Sequence, residues 1–145
     1  HAAIGVEQIK KLPSFLIKRR ENYNRLNNNL KNIENIRVLP QPVDERFNSS
    51  HYCLGMILDR TVAEKRPLIM EELGKKGIGT SIYYPQPVPR MSYYKSKYGY
   101  KKNQFANAAN ISDCIIALPV GPHLSFSDMD YIEKSIKQVW SEINV

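Results

Sequence analysis

The chain has 145 residues, 42% hydrophobic and 24% charged, which is the length and composition of one globular domain with a core of its own. No apolar run approaches the ~20 residues of a membrane span, and no charged-then-apolar leader opens the sequence. A net charge of +7 favours an anionic partner: nucleic acid, a phosphate-bearing small molecule or an acidic neighbouring domain. The scattered lysines disfavour a nucleic-acid stripe.

Residues 2–32 read as helix, interrupted at Pro13. Ile9, Leu12, Leu16, Tyr23, Leu26 and Leu30 repeat with helical spacing. Pro13 predicts a kink, or a restart with the proline at the first helical position. Lys18, Arg19, Arg20 and Arg25 are expected on the wet face, and Asn27-Asn28-Asn29 predicts fraying. Residues 36–39 form a short strand candidate, stopped by Pro40 and Pro42. Residues 40–49 read as loop, with Asp44 and Glu45 solvated. Residues 51–58 form a second strand with apolar side chains on both parities, hence covered on both faces. Thr61 and Glu64 have capping-box spacing and predict a helix running to about Lys76, with Leu68, Ile69 and Leu73 inward and Gly77 ending it.

Residues 78–84 read as a third strand. It leads into Pro85-Gln86-Pro87-Val88-Pro89-Arg90, an ordered proline loop of the kind that carries binding groups. Short helices are expected over 92–98 and 105–112, a fourth strand over 115–118, and a loop from Pro119 to His123. Ser125 with Asp128 caps the last helix, whose stripe is Met129, Ile132, Ile136, Val139 and Ile143, widened by Trp140. This order predicts an α+β, two-layer sandwich: a small mixed or antiparallel sheet covered on one face by long helices.

The chain offers no Ser/His/Asp set, no glycine-rich phosphate loop and no carboxylate pair, so no catalytic residue is assigned. Cys53 and Cys114 read as small core residues in a reducing compartment. His1, His51 and His123 show no metal-ligand spacing. His51 reads as structural, and His123 precedes a helix start where it could line a pocket. Six of the nine tyrosines fall between residues 83 and 100. Tyr93, Tyr94, Tyr98 and Tyr100 alternate with Lys95, Lys97, Lys101 and Lys102. Such a segment either stacks bases and neutralises phosphates or packs its rings on the core with the lysines in water. Arg90, in a rigid loop, could clamp a phosphate or carboxylate, or it could be an exposed or ion-paired arginine.

Five segments carry a family likeness. They are Ala2-Ala3-Ile4-Gly5-Val6-Glu7-Gln8-Ile9-Lys10-Lys11-Leu12 with Arg19-Arg20 downstream; His51-Tyr52 through Arg60; Gly77-Ile78 followed by Tyr84-Pro85; Phe105-Ala106-Asn107-Ala108; and Ile116-Ala117-Leu118-Pro119. In this order they resemble the C-terminal part of the DegT–StrS family of sugar aminotransferases, pyridoxal-phosphate enzymes of fold type I. The resemblance implies that residues 1–145 are a single C-terminal domain of a larger enzyme. That enzyme would move an amino group, with glutamate the expected donor, to a keto sugar nucleotide. It further implies a homodimeric, cytoplasmic parent in polysaccharide biosynthesis, whose Schiff-base lysine and cofactor cradle lie in a preceding domain. No cofactor, metal or catalytic activity is then expected of this segment alone.

Where the family often has His-Tyr, this chain has Tyr83-Tyr84. Where a second histidine is usual, it has Pro89 followed by Arg90. Tyr83, Tyr84, Gln86, Arg90 and His123 are the expected substrate contacts. Two alternatives stay open: a stand-alone basic module binding nucleic acid or protein without catalysis, and a relative that lost its lysine and became regulatory.

Overall fold

A computed structural model describes residues 2–42, 44, 46–101 and 104–143. His1, Glu45 and Lys102, which figure in the expectations above, lie outside the described residues. The chain begins with a long helix, α1 (Ala2–Leu30), followed by two strands, β1 (Ile36–Val38) and β2 (Leu54–Leu58). Then come α2 (Arg66–Lys75), α3 (Ser92–Tyr98), α4 (Ala106–Cys114), a third strand β3 (Ile115–Leu118) and α5 (Phe126–Glu142). The sheet is antiparallel in the order β1-β2-β3, with Ile36 opposite Leu58 and Leu54 opposite Leu118.

The core is one cluster. Leu54, Met56, Ile57 and Leu58 of β2, with Ile116 and Leu118 of β3, meet Leu26 and Leu30 of α1, Ile69 and Leu73 of α2, and Met129, Ile136 and Val139 of α5. α5 packs against both α1 and α2, which makes the helical layer. Fully burying each such aliphatic side chain stabilises by about 1.5–3 kcal/mol. β2 is buried at both parities, as its pattern predicts. Polar clamps fix the layers. Arg25 holds Asp130 through two hydrogen bonds of 2.9 Å, and the Trp140 indole donates to the Glu34 carbonyl at 3.1 Å.

α1 departs from expectation in two ways, and of the two outcomes expected at Pro13 it does not show the restart. The carbonyl that proline leaves unpaired is that of Ile9, an exposed residue whose backbone water can reach. Asn27–Asn29 stay helical, and the Asn29 amide donates to Asp130 at 2.8 Å. The apolar stripe is also only half used: Tyr23, Leu26 and Leu30 are buried, whereas Ile9 and Leu12 on the same face are 69% and 44% exposed.

Thr61 does not cap a helix. Its hydroxyl and amide both bond the Asp59 carboxylate, and the chain passes through a 3-10 turn, Ala63–Lys65, before α2 begins. Leu68 faces water, while Ile69 and Leu73 are buried. Gly77 ends α2 as expected. At φ +76° it donates to the Gly74 carbonyl, and Ile78 donates to Leu73, the paired bonds of a left-handed helix stop.

The same stop removes the expected strand over 78–84. The Ile78 amide is spent on α2, Tyr84 sits at φ +61°, and only Ser81 pairs with the sheet, exchanging bonds with Ala117. The second strand starts late, because His51 turns the chain at φ +44° and nothing pairs residues 51–53. α4 begins after Phe105, whose φ of +58° keeps it out of the helix. The capping box of α5 is present, with Ser125 and Asp128 bonded reciprocally.

Candidate functional site

The five expected contact residues fall into three neighbouring concavities. Tyr83 and His123 share a cleft of about 290 Å³ with Arg19, Tyr52, Cys53 and Ser81. Tyr83 also borders an apolar groove of about 510 Å³ with Tyr84, Val88, Pro89, Phe105 and Ile111. Gln86 and Arg90 line a third, of about 270 Å³, with Lys95, Tyr100 and Lys101. The structure therefore brings Tyr83 to His123 and Gln86 to Arg90, and leaves the two pairs in separate hollows.

The cleft is built from three directions. α1 supplies Arg19. The Ser81–Ala117 bridge places Tyr83 two residues beyond the edge of β3. The loop between β3 and α5 supplies His123, and its shape comes from Asn22. This fully buried side chain donates to the Gly121 carbonyl at 2.9 Å and to the Leu124 carbonyl at 3.1 Å. A Cβ at Gly121 would stand 2.5 Å from Cε1 of His123, so any larger residue there would displace the ring. Arg19 and Asn22 are neighbours on one helix face, so the arginine and the histidine loop are fixed to the same turn of α1.

The Arg19 guanidinium lies 5.6 Å from the centroid of the Tyr52 ring, and Tyr52 meets Tyr83 edge-on at 6.0 Å. Hydrogen bonding with Tyr52 pushes the Tyr83 phenol up from its ordinary value, with burial and the neighbouring Tyr52 and Cys53 adding to it. Burial likewise raises the Cys53 thiol, which holds it in the protonated, unreactive form. His51 stands outside this cleft. Its ring leans on Tyr23 at 4.8 Å, and burial, then the charge of Arg20, pulls its pKa down.

In the proline loop, Pro87 leads into a 3-10 turn, Val88–Arg90, that aims Arg90 at α4. Its Nη1 donates to Asp113 at 2.7 Å, while its Nε is buried without a partner. The Ser112 hydroxyl donates to the Tyr84 carbonyl at 2.6 Å and holds the strained turn. Beyond it, Tyr93, Tyr94, Tyr98, Tyr100 and Phe105 form a continuous ladder of ring contacts of 5.2–6.3 Å. Its α3 rings are exposed to water and not packed on the core. Lys97 sits over both Tyr93 and Tyr98.

Arg19, expected on the wet face, is half-buried in the cleft, and neither it nor Asn22 nor Tyr52 was expected as a site residue. Among the described residues, no group of three or more His, Cys, Asp or Glu could hold a metal ion, and no helix is long and apolar enough to cross a membrane. The residues lining the cleft include neither a lysine to form a Schiff base nor a carboxylate to pair with a pyridine nitrogen. They fit one wall of a site rather than the seat of pyridoxal phosphate.

Comparison with known proteins agrees with this architecture. The chain is 32% identical over 144 residues to the Methanocaldococcus jannaschii protein MJ1066, covering 97% of this chain and 36% of that protein. It is 27% identical to the spore coat polysaccharide biosynthesis protein SpsC of Bacillus subtilis, covering 95% of this chain and 35% of that one. The solved aminotransferase TlmJ of Streptoalloteichus hindustanus superposes with a TM-score of 0.81 at 25% identity, over 98% of this chain and 36% of that structure. The chain thus spans about a third of the length of these relatives. A family model matches residues 1–137, and the chain belongs to the DegT/DnrJ/EryC1/StrS aminotransferase family.

Proposed function

We propose that this chain is the C-terminal domain of a pyridoxal-phosphate-dependent aminotransferase that transfers an amino group, from glutamate as donor, to a keto sugar nucleotide. The observation that carries the reading is the cleft of Arg19, Tyr83 and His123: a preformed, cationic, hydroxyl-lined wall without cofactor-holding groups. A preceding domain would hold the cofactor on its lysine, and bound pyridoxal phosphate would supply the electron sink for amino transfer. This chain would bind and orient the substrate and keep water from the closed cleft. Tyr83, Tyr84, Gln86, Arg90 and His123 are assigned substrate contact. Arg90 would act while tethered to Asp113, and the aromatic groove beside Tyr84 would receive an apolar face of the ligand.

The exposed half of the α1 stripe, Ile9 and Leu12, suits an apolar surface of that cofactor domain, and a homodimeric, cytoplasmic parent fits the same reading. The test is the parent protein supplied with pyridoxal phosphate, glutamate and a panel of keto sugar nucleotides. We expect 2-oxoglutarate and an amino sugar nucleotide in equal amounts. Binding of the cofactor without transfer to any member of the panel would overturn the reading. The exposed tyrosine–lysine ladder favours one other reading, a basic module for single-stranded nucleic acid. Salt-dependent retention of an oligonucleotide by this chain, lost on Tyr94→Ala, would support that instead.

A further inference from the structure

Three arginines of this chain are half-buried: Arg19, Arg66 and Arg90. Arg66 donates to the Ser112 and Ile115 carbonyls, and Arg90 donates to Asp113. Arg19 alone of the three has no acceptor among the described residues. Its Nε is fully shielded from solvent and unpartnered, and its contact is with the face of the Tyr52 ring. A guanidinium cannot shed its charge in a protein, and a buried N–H without an acceptor costs about 1–3 kcal/mol. No aspartate or glutamate lines the cleft to neutralise it. What lines the cleft with it are the hydroxyls of Ser81, Tyr52 and Tyr83 and the imidazole of His123.

A fixed fork of N–H groups, partly desolvated and ringed by hydroxyls, matches the two oxygens of a carboxylate or phosphate. The site is also held rigid. The guanidinium lies 5.6 Å from the Tyr52 ring, and Asn22, one turn along α1, latches the loop that carries His123. Sequence spacing points the same way. Arg19 occupies the stripe position between Leu16 and Tyr23, where an apolar residue would continue the pattern of α1.

We propose that the cleft between α1 and the loop after β3 is an oxyanion-binding subsite in which Arg19 takes two oxygens of one anionic group, with Tyr83 and His123 as further hydrogen-bonding partners. This deepens the functional reading above and rests on it for the choice of anions: the carboxylate of an amino-acid donor or the diphosphate of a sugar nucleotide. The two share oxyanion chemistry and differ in charge and size.

The experiment follows the Nε–H resonance of Arg19 by nitrogen-15 NMR in the 145-residue chain, assigned by its absence in R19Q. Glutarate and inorganic pyrophosphate are titrated separately at constant ionic strength. A saturable, single-site shift of the Arg19 resonance with either anion, lost in R19Q and weakened ~10-fold in R19K, supports the subsite. Saturation by glutarate alone assigns it to the donor carboxylate, and saturation by pyrophosphate alone assigns it to the diphosphate. No saturable shift with either anion overturns the proposal, as does anion binding of equal affinity in R19Q. Should R19Q fail to fold, the wild-type titration and R19K decide. Anion binding in a protein whose parent transfers no amino group would leave the subsite and remove the aminotransferase reading. Amino transfer without an Arg19 shift would remove the subsite alone.

Discussion

Asn22 shapes the cleft without lining it. Its two donors close the loop after β3 onto α1, and no water reaches the side chain to replace them. Asn22→Ala leaves two carbonyls without their partner but also removes an Oδ1 buried without one, and the expected net loss is about 1–2 kcal/mol of folding stability. Chemical denaturation measures this directly, and a change within a few tenths of a kcal/mol would show that the latch is idle. Arg19 illustrates why such residues are hard to find from sequence. The gap of seven between Leu16 and Tyr23 on the stripe is where a polar side chain had been turned inward, but an arginine beside another arginine reads as a solvated pair. Only the backbone shows which of Arg19 and Arg20 points in. Tyr52 was concealed in another way, since apolar alternation assigned it to a strand that begins two residues later.

The contact between α1 and α5 has a pH signature. Hydrogen bonds from Arg25 and then Asn29 hold the Asp130 carboxylate at a pKa of about 2, below its ordinary 3.8. A depressed carboxylate stabilises the fold above its unfolded value and loses that contribution as pH falls toward the folded one. The thermal midpoint of the chain is therefore expected to fall between about pH 4 and pH 2 by more than that of Asp130→Asn. Parallel pH profiles for the two proteins would rule the pair out as a contributor. The helices that sequence located best, α3 and α5, are those whose ends are set by local chemistry: Gly99 at φ +67° and the Ser125–Asp128 box. The capping box at Thr61 and the strand over 78–84 failed because a competing local bond won. Asp59 captured Thr61, and the stop of α2 captured Ile78. The α+β sandwich itself was legible, since it rests on long amphipathic periodicities that no single turn can overrule.

At the scale of the molecule, α1 is half core and half projection. Its stripe is continuous, yet Ile9 and Leu12 have no cover among the described residues, while Leu26 and Leu30 are buried. The double variant I9Q/L12Q is expected to leave the thermal midpoint of this chain unchanged and to lower that of the parent protein, where the preceding domain would cover the face. Equal midpoints in the parent would remove that docking assignment. The proline loop has a different consequence. Between Ser81, tied to Ala117, and Arg90, tied to Asp113, the loop is held by the Ser112–Tyr84 bond, by Ile82 against the core, by the Tyr52–Tyr83 ring contact and by the buried Pro87. A chain segment moored at its two ends can lengthen, shorten or change composition without disturbing the sheet beneath it, because extra loop residues add little closure entropy. The loop is thus a natural point of divergence: selection, or a protein engineer, can exchange the exposed Pro85, Gln86 and Val88 around the buried Pro87 while inheriting the same scaffold.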